Sequence, residues 1–577
     1  MDTRRSLLLV LTVVLTAATP LVAVGCATTT PAAAPTEAVA TPTESAAEAT
    51  APAVETVLPT PAAAQQGERL VIAVEHWGRE IPFGWLNSVG EWRLWQPVFD
   101  PLIQVSMEAA TDYQPGLFTE WSHSDDYKTW TFKVREGVMF HEDWGELTSE
   151  DVKWSLEQNL REDATGAQAA RLFQAFLEDI ETPDEYTVVM HWNREMWELL
   201  DEFAPFFSCQ TIASKKYIEE VGEEAALLHP IGTGPYRHVE GVPGEYHIFE
   251  AVPNHWRVTP GFKELEVRAV PDSATRMSGL RSGQFDIVMV AGDSVAEAED
   301  AGFRIVDWPG VMTYNVALPG LTNPQYPDSY CPECPWVGDP SDPQSLENAL
   351  KVRMALNLAV DKQAIIDAFW HGYGDQTPFS YYYYPIAPGW SDEWVIPPYD
   401  AGRAKELLAE AGYADGFEIP ALLANQAADG REIMEAVAQD WEAIGITVTR
   451  ERVEVLDLLP QWIACSWTGS WVSAYPMPIP NPGVGWMDNL GVGWTWCGLI
   501  KHDDVEQKVK DIMAELDEEK RVEMMHAVGQ ELYEGYYGVP IGIKAVTFAV
   551  SDKVGNWDPP APNMYSLWPE YAEWSGR

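Results

Sequence analysis

Apolar residues recur with a period of two in some stretches of this chain and with a period near 3.6 in the next. The two patterns alternate from about residue 70 to residue 550. That alternation restricts the fold more than any other feature, because strands interleaved with helices build sheets covered by helices. Residues 70–74 (LVIAV) form a short apolar run, the pattern of a buried strand. Residues 130–134 (WTFKV) alternate, with Trp130, Phe132 and Val134 on one face. The period then changes. Thr148 with Asp151 three positions on has the form of a capping box, and Val152, Leu156 and Leu160 share one helical face. Gly232 and Gly234 in IGTGPYR read as a tight turn. Residues 346–370 read as one long amphipathic helical region, and residues 399–412 as a helix closed by Gly412. Residues 431–445 predict a helix leading into the strand ITVTRERV. Helices are expected again from about Asp504 to Tyr537, before the strand-like VPIGIKAVTFAV. The class is α/β with long loops and no internal repeat.

The N-terminus reads as an address. Arg4 and Arg5 precede an apolar run at 7–18, Pro20 breaks it, and LVAVGC closes it at Cys26. This is the layout of a secretory signal, and the run is shorter than the roughly 20 residues of a spanning helix. Small residues before a cysteine resemble a lipobox, although Ala23 stands where leucine is preferred. The resemblance implies cleavage there and lipidation of Cys26. Residues 27–67 are rich in Ala, Thr and Pro and hold no aromatic residue, so they cannot bury enough surface to fold. They read as a disordered tether with a reach of roughly 35 Å. The folded body, from about residue 68, is expected to hang from a lipid anchor outside the cell membrane.

Five further cysteines are Cys209, Cys331, Cys334, Cys465 and Cys497. The compartment permits disulfides. Cys331 and Cys334 form CPEC, half of a zinc knuckle, but Cys465 and Cys497 lack the spacing of the other half. A local disulfide or free thiols is therefore expected, and no metal site. The odd count leaves at least one thiol unpaired within the chain.

The formal net charge is −51 over 577 residues. Such a balance repels phosphate backbones and argues against nucleic acid as a partner. Catalytic signatures are missing: there is no G-x-S-x-G elbow, HEDWG at His141 has no second histidine four residues on, and there is no G-x-x-x-x-G-K loop. No catalytic residue and no cofactor is assigned. Against the acidity stands one neutral island. Residues 458–487 carry no charge, where a chain 22% charged would place about six or seven. The island holds four tryptophans and five prolines, around SWVSAYPMPIPN.

Residues 116–156 (GLFTEWSHSDDYKTWTFKVREGVMFHEDWGELTSEDVKWSL) resemble the signature region of extracytoplasmic solute-binding proteins of the oligopeptide and dipeptide class, solute-binding family 5. The matching residues are Trp130, Phe132, Val134 and Arg135 in the strand; Phe140, His141 and Asp143 in the turn; and Thr148, Glu150, Asp151 and Val152 at the helix start. GTGPYR, RMSGLRSGQFDIV, VRMALNLAVDKQAI and YDAGRAKELLAEAG follow in the family's order. The resemblance implies a two-lobe periplasmic-binding-protein-like fold (type II, cluster C) with an extra subdomain in the first lobe. The expected layout is a signal at 1–26, a tether at 27–67, a first lobe at 68–310 with its subdomain at about 95–195, a second lobe at 311–537, and a return to the first lobe at 538–577. Residues 323–348 read as an insertion, expected to be a rim loop. The resemblance further implies a monomer that closes on a solute by hinge motion and delivers it to the permease of an ABC importer, touching the membrane only through its lipid anchor.

Peptide-binding relatives place an aspartate in the segment matching SWVSAYPMP, where it pairs with a ligand ammonium. Here that position is Ala474, and a second acid becomes Met477. A buried ammonium without a countercharge costs several kcal/mol, so this reading disfavours a free peptide N-terminus unless an acid from elsewhere replaces it. Trp467, Trp471, Tyr475 and Trp496, with Tyr381 and Tyr383 of SYYYYP, are candidate ligand-binding residues. Their flat faces suit sugar rings. His76 and Trp77 are candidates from the first lobe. An oligosaccharide or similar neutral solute is the first expectation and an oligopeptide the second.

Overall fold

The computed structural model describes residues 66–86, 92–106, 109–164, 167–204, 210–320, 331, 333–379, 385, 387–425, 427, 429–463, 466–476, 486, 503–559 and 566–577. The main sheet is built from β1 (Gly67–Val74), β2 (Tyr236–Val242), β3 (Tyr246–Ala251), β4 (Phe262–Ala269), β5 (Ile287–Val290), β6 (Arg304–Ala317), β7 (Gly374–Asp375), β8 (Trp471–Pro476) and β9 (Val539–Val550). Across the sheet the order is β8-β6-β9-β5-β1-β4-β3-β2, and β7 pairs with β9. β1 is central and runs parallel to both neighbours. Leu70, Ile72 and Val74 enter one core while Ala73 enters another with Met277, Leu280 and Val288. Burial on both faces explains why LVIAV is apolar without alternation.

Two long strands cross from one core to another. β6 and β9 are antiparallel partners, paired from Arg304↔Val550 to Trp308↔Val546 and again from Met312↔Lys544 to Val316↔Val539. Between those two runs lie residues 309–311 of β6 and only Ala545 of β9, a bulge. On one side of it, Trp308, Phe548 and Val550 pack with β1 and β4. On the other side, Tyr314, Val316, Val539 and Ile541 pack under the helices Pro343–Leu358, Lys362–Trp370, Ala401–Glu410 and Gly430–Ala443. Two cores joined by one bulged strand pair give the two-lobe form a natural bending point.

A separate antiparallel sheet orders Phe118–His123, Thr129–Val134, Thr187–Trp192 and Leu177–Asp184. Trp130, Phe132 and Val134 point into the first core, as their alternation predicts. The capping box also forms: one Asp151 oxygen accepts from Thr148 N at 3.1 Å and Thr148 Oγ1 at 2.9 Å, and the other accepts from Lys215 N at 3.0 Å.

Three expectations change. Residues 346–370 are not one helix. They break at 359–361, where the Asp361 carboxylate accepts from Ala364 N at 3.0 Å and starts the second helix. Gly232 and Gly234 serve a close approach rather than a turn: a Cβ would stand 2.1 Å from Val98 O and 2.5 Å from Pro97 O respectively. The 323–348 insertion is more than a rim loop. Cys331 and Cys334 are disulfide-bonded, and Trp336 and Val337 are buried in the second core, with Trp336 Nε1 donating to Pro319 O at 2.6 Å. Cys209, Cys465 and Cys497 lie outside the described residues. Among the described residues no helix is long and apolar enough to cross a membrane.

The first core has a charged centre. Arg257 Nε donates to Asp100 Oδ1 at 2.9 Å, and its terminal nitrogens donate to Glu570 Oε1 at 3.1 Å and Tyr571 Oη at 3.0 Å. His255 Nε2 and Trp256 Nε1 lie 3.1 and 2.8 Å from Asp100 Oδ2, and Gln96 donates to Glu570 at 2.9 Å. The segment carrying Glu570 follows the small hairpin strand Val554–Trp557, whose Trp557 packs in the same core.

Candidate functional site

The neutral island enters the sheet as β8, beside the second-lobe half of β6. Register pairs Trp471 with Ala317, Ser473 with Asn315 and Ala474 with Tyr314. Alternate residues of a strand face opposite ways. Val472 and Ala474 face the second core with Tyr314 and Val316, so Trp471 and Ser473 occupy the other face. There, fully buried Asn315 donates from Nδ2 to Ser473 Oγ at 2.8 Å, while Asn315 Oδ1 has no hydrogen-bond partner. Trp467 is buried nearby in sequence, and its Nε1 also lacks a partner. Buried polar atoms are normally satisfied. Both groups are uncharged and buried, as are several unsatisfied indole nitrogens elsewhere in the cores.

The other candidates are spread more widely. Tyr475 has its backbone in β8, and its side chain lies outside the described residues. Tyr381, Tyr383 and Trp496 lie outside them altogether. His76 is exposed, and its carbonyl accepts from Arg93 at 3.0 Å. Trp77 is buried in the first core, donating to Glu80 at 2.7 Å, its ring 5.7 Å from that of His247.

Sequence reasoning missed a charged pair on the core-facing side of β6. The Asp429 carboxylate, before helix Gly430–Ala443, pairs with Lys544 of β9. The Lys544 ammonium lies 5.8 Å from the Tyr314 ring centre, and Asp429 is 23% exposed. Lys544 is the first residue of β9 paired on the second-lobe side of the bulge. Asp429 and Lys544 lie 115 residues apart in sequence, so no local motif marks the pair.

The lobes also meet away from the bulge. Trp197 follows a strand of the four-stranded sheet and precedes helix Leu199–Phe203, whose Leu199 and Phe203 belong to the first core. Yet Trp197 itself packs with Phe379, Trp394, Trp486, Val505 and Val528. Its Nε1 donates to Met513 O at 3.0 Å, and the Arg521 guanidinium lies 4.0 Å from its ring centre. Below it, Tyr113 Oη donates to Asp201 Oδ1 at 2.5 Å. Burial pushes the Asp201 carboxyl up to about 7; the Tyr113 hydrogen bond lowers it, Glu198 raises it and Arg521 lowers it. The folded state thus holds this proton more tightly than the unfolded chain, whose Asp titrates near 4. Stability from this group therefore falls as pH rises from about 4 to about 7. Asp201→Asn is expected to flatten that part of the stability profile and to raise stability above pH 7. Urea midpoints measured across the range check it, and an unchanged slope would refute it.

Two lobes, a bulged two-strand connection and an additional antiparallel sheet define a type II periplasmic-binding-protein fold. Residues 112–483 match the family described as bacterial extracellular solute-binding proteins, family 5 (middle region), and the chain belongs to that family. It is 27% identical over 378 residues to heme-binding protein A of Haemophilus influenzae, covering 61% of this chain and 64% of that protein. It is 26% identical over 413 residues to the dipeptide-binding protein of Escherichia coli, covering 65% and 70%. Among solved structures, the periplasmic binding protein DppA from Helicobacter pylori in complex with the peptide STSA superposes with a TM-score of 0.67 at 19% identity, over 89% of this chain and 99% of that one.

Proposed function

We propose that the protein is the extracytoplasmic substrate-binding component of an ABC importer and that its solute is a short peptide. The position of Ala474 removes the ground on which the sequence disfavoured a peptide. Its side chain faces the second core with Val472 and Tyr314, so the absence of an acid there says little about the cleft. This reverses the order reached from sequence, where Ala474 disfavoured a peptide and an oligosaccharide came first. The names of the E. coli and H. pylori relatives agree with a peptide. The protein acts by binding rather than catalysis. Closure about the β6–β9 bulge, with solute contacts to both lobes, would present a closed form to the permease.

Tryptophan fluorescence titrated with short peptides, their N-acetylated forms and oligosaccharides tests this reading. Binding of free peptides is expected, weakened at least about tenfold by N-acetylation, since a charge-assisted contact is worth about 1.5–3 kcal/mol. Binding of sugars and of no peptide would restore the first expectation. Lipidation of Cys26 with a tether ending before β1, which already begins at Gly67, remains part of the proposal, with the protein on the outer face of the cell membrane. Cys26→Ser should then move it to the soluble fraction; retention in the detergent-dependent fraction would rule the anchor out.

A further inference from the structure

Lys362 opens helix Lys362–Trp370 and is 3% exposed. Its Nζ is buried and makes no hydrogen bond or ion pair. It lines a cavity of about 20 Å³ with Asn357, Pro378, Phe379, Tyr536 and Pro540. Among the described residues no carboxylate lines this space. The adjacent Asp361 carboxylate is engaged by Ala364 N. Asn357 Nδ2 is committed to Arg353 O at 3.1 Å and Gly538 O at 2.8 Å. The guanidinium of Arg353, four residues before Asn357 on the same helix, is occupied by Gly535 O and Trp336 O at 2.7 Å each.

A buried ammonium with three donors and no acceptor is among the costliest groups a core can hold. Burial accordingly lowers the lysine to about 8, with no charged neighbour contributing. At neutral pH it still carries its proton for most of the time. Tyr533, Tyr536 and Tyr537 also line the space, but Lys362 Nζ makes no hydrogen bond to any of them. The space admits one water-sized group. A neutral water would leave the charge uncompensated, whereas a small anion removes the penalty.

We propose that this cavity binds a small monovalent anion held by the Lys362 ammonium. The shared chemistry is a single negative charge no larger than a halide or the end of a carboxylate. Its source is either a free halide or a carboxylate entering beside Pro378 and Phe379, the residues that lead into the tyrosine run at 381–384. The proposal does not depend on which solute the protein carries.

Thermal unfolding of the purified full-length protein tests it, with gluconate, too large for the cavity, holding ionic strength constant. Chloride or acetate is expected to raise the melting temperature saturably by about 1–3 °C, and Lys362→Met should abolish the rise. A response to chloride identifies a halide site, and a response to acetate alone identifies a carboxylate site. An equal response of the wild type and the variant to both anions would overturn the proposal. Should the variant fail to fold, wild-type crystals grown in bromide or acetate decide. Anomalous density or an ordered carboxylate beside Lys362 Nζ supports the site, and neither in both crystals overturns it.

Discussion

Replacing Arg257 with methionine is expected to lower the free energy of unfolding by about 3–5 kcal/mol, because breaking a buried ion pair leaves its partners charged and unpaired. Two carboxylates depend on this one guanidinium. Asp100 and Glu570 are both fully buried at their side chains, and methionine supplies the volume of arginine without the charge. The effect has a pH signature. Burial alone would raise the Asp100 carboxyl, but the charges of His255 and Arg257 and their hydrogen bonds override it and hold the group well below the usual carboxylate range. A depressed carboxyl contributes stability above its unfolded pKa near 4, and that stability is lost as pH falls through the folded value. Wild-type protein should therefore lose stability on acidification below about pH 4, and the variant should lose less. Urea unfolding at pH 7 and at acid pH measures both effects. A variant within 1 kcal/mol of wild type at pH 7 would show that the network contributes little.

Trp197→Ala should loosen the contact between the lobes without unfolding either. The substitution removes a cation–π contact worth about 1–2 kcal/mol and a hydrogen bond worth about 1 kcal/mol, together with the packing of the Trp197 ring in that cluster. Both contacts exist only when the subdomain meets the helices Asp503–Ala514 and Glu518–Gly535. Their loss therefore disfavours the arrangement seen here by about 2–3 kcal/mol, and a solute that binds this arrangement should lose roughly 30-fold or more in apparent affinity. The radius of gyration in solution without solute should grow. Arg521→Gln, which keeps the tryptophan but not the cation, should show a smaller change in the same direction. If neither radius nor affinity moves in Trp197→Ala, the contact does not hold the lobes together.

The sequence was most legible where local chemistry decides structure. The alternation in WTFKV, the capping box at Thr148 and Asp151, and the apolar run of β1 all follow from residues within a few positions of one another. The α/β class and the family followed from the order of such segments. The break at Asp361 was locally visible as a capping residue but hidden by continuous helical periodicity on both sides. The site was far less legible. Which face of β8 meets the core depends on pairing with β6, more than 150 residues earlier, and a shift of one residue would exchange Ala474 for Ser473. Asp429 with Lys544, Trp197 with Arg521, and the isolated Lys362 are likewise products of long-range register and packing. None of them leaves a local pattern.

The charged centre of the first lobe also bears on the order in which the chain can fold. Gln96 and Glu570 meet across 474 residues, so the first lobe lacks its last partners until nearly the whole sequence has emerged from the ribosome. Contacts of such separation form late and slowly. A polypeptide bound for the far side of a membrane gains from that delay. Its first core lacks Val554, Trp557, Leu567 and Ala572 until the second half has been made.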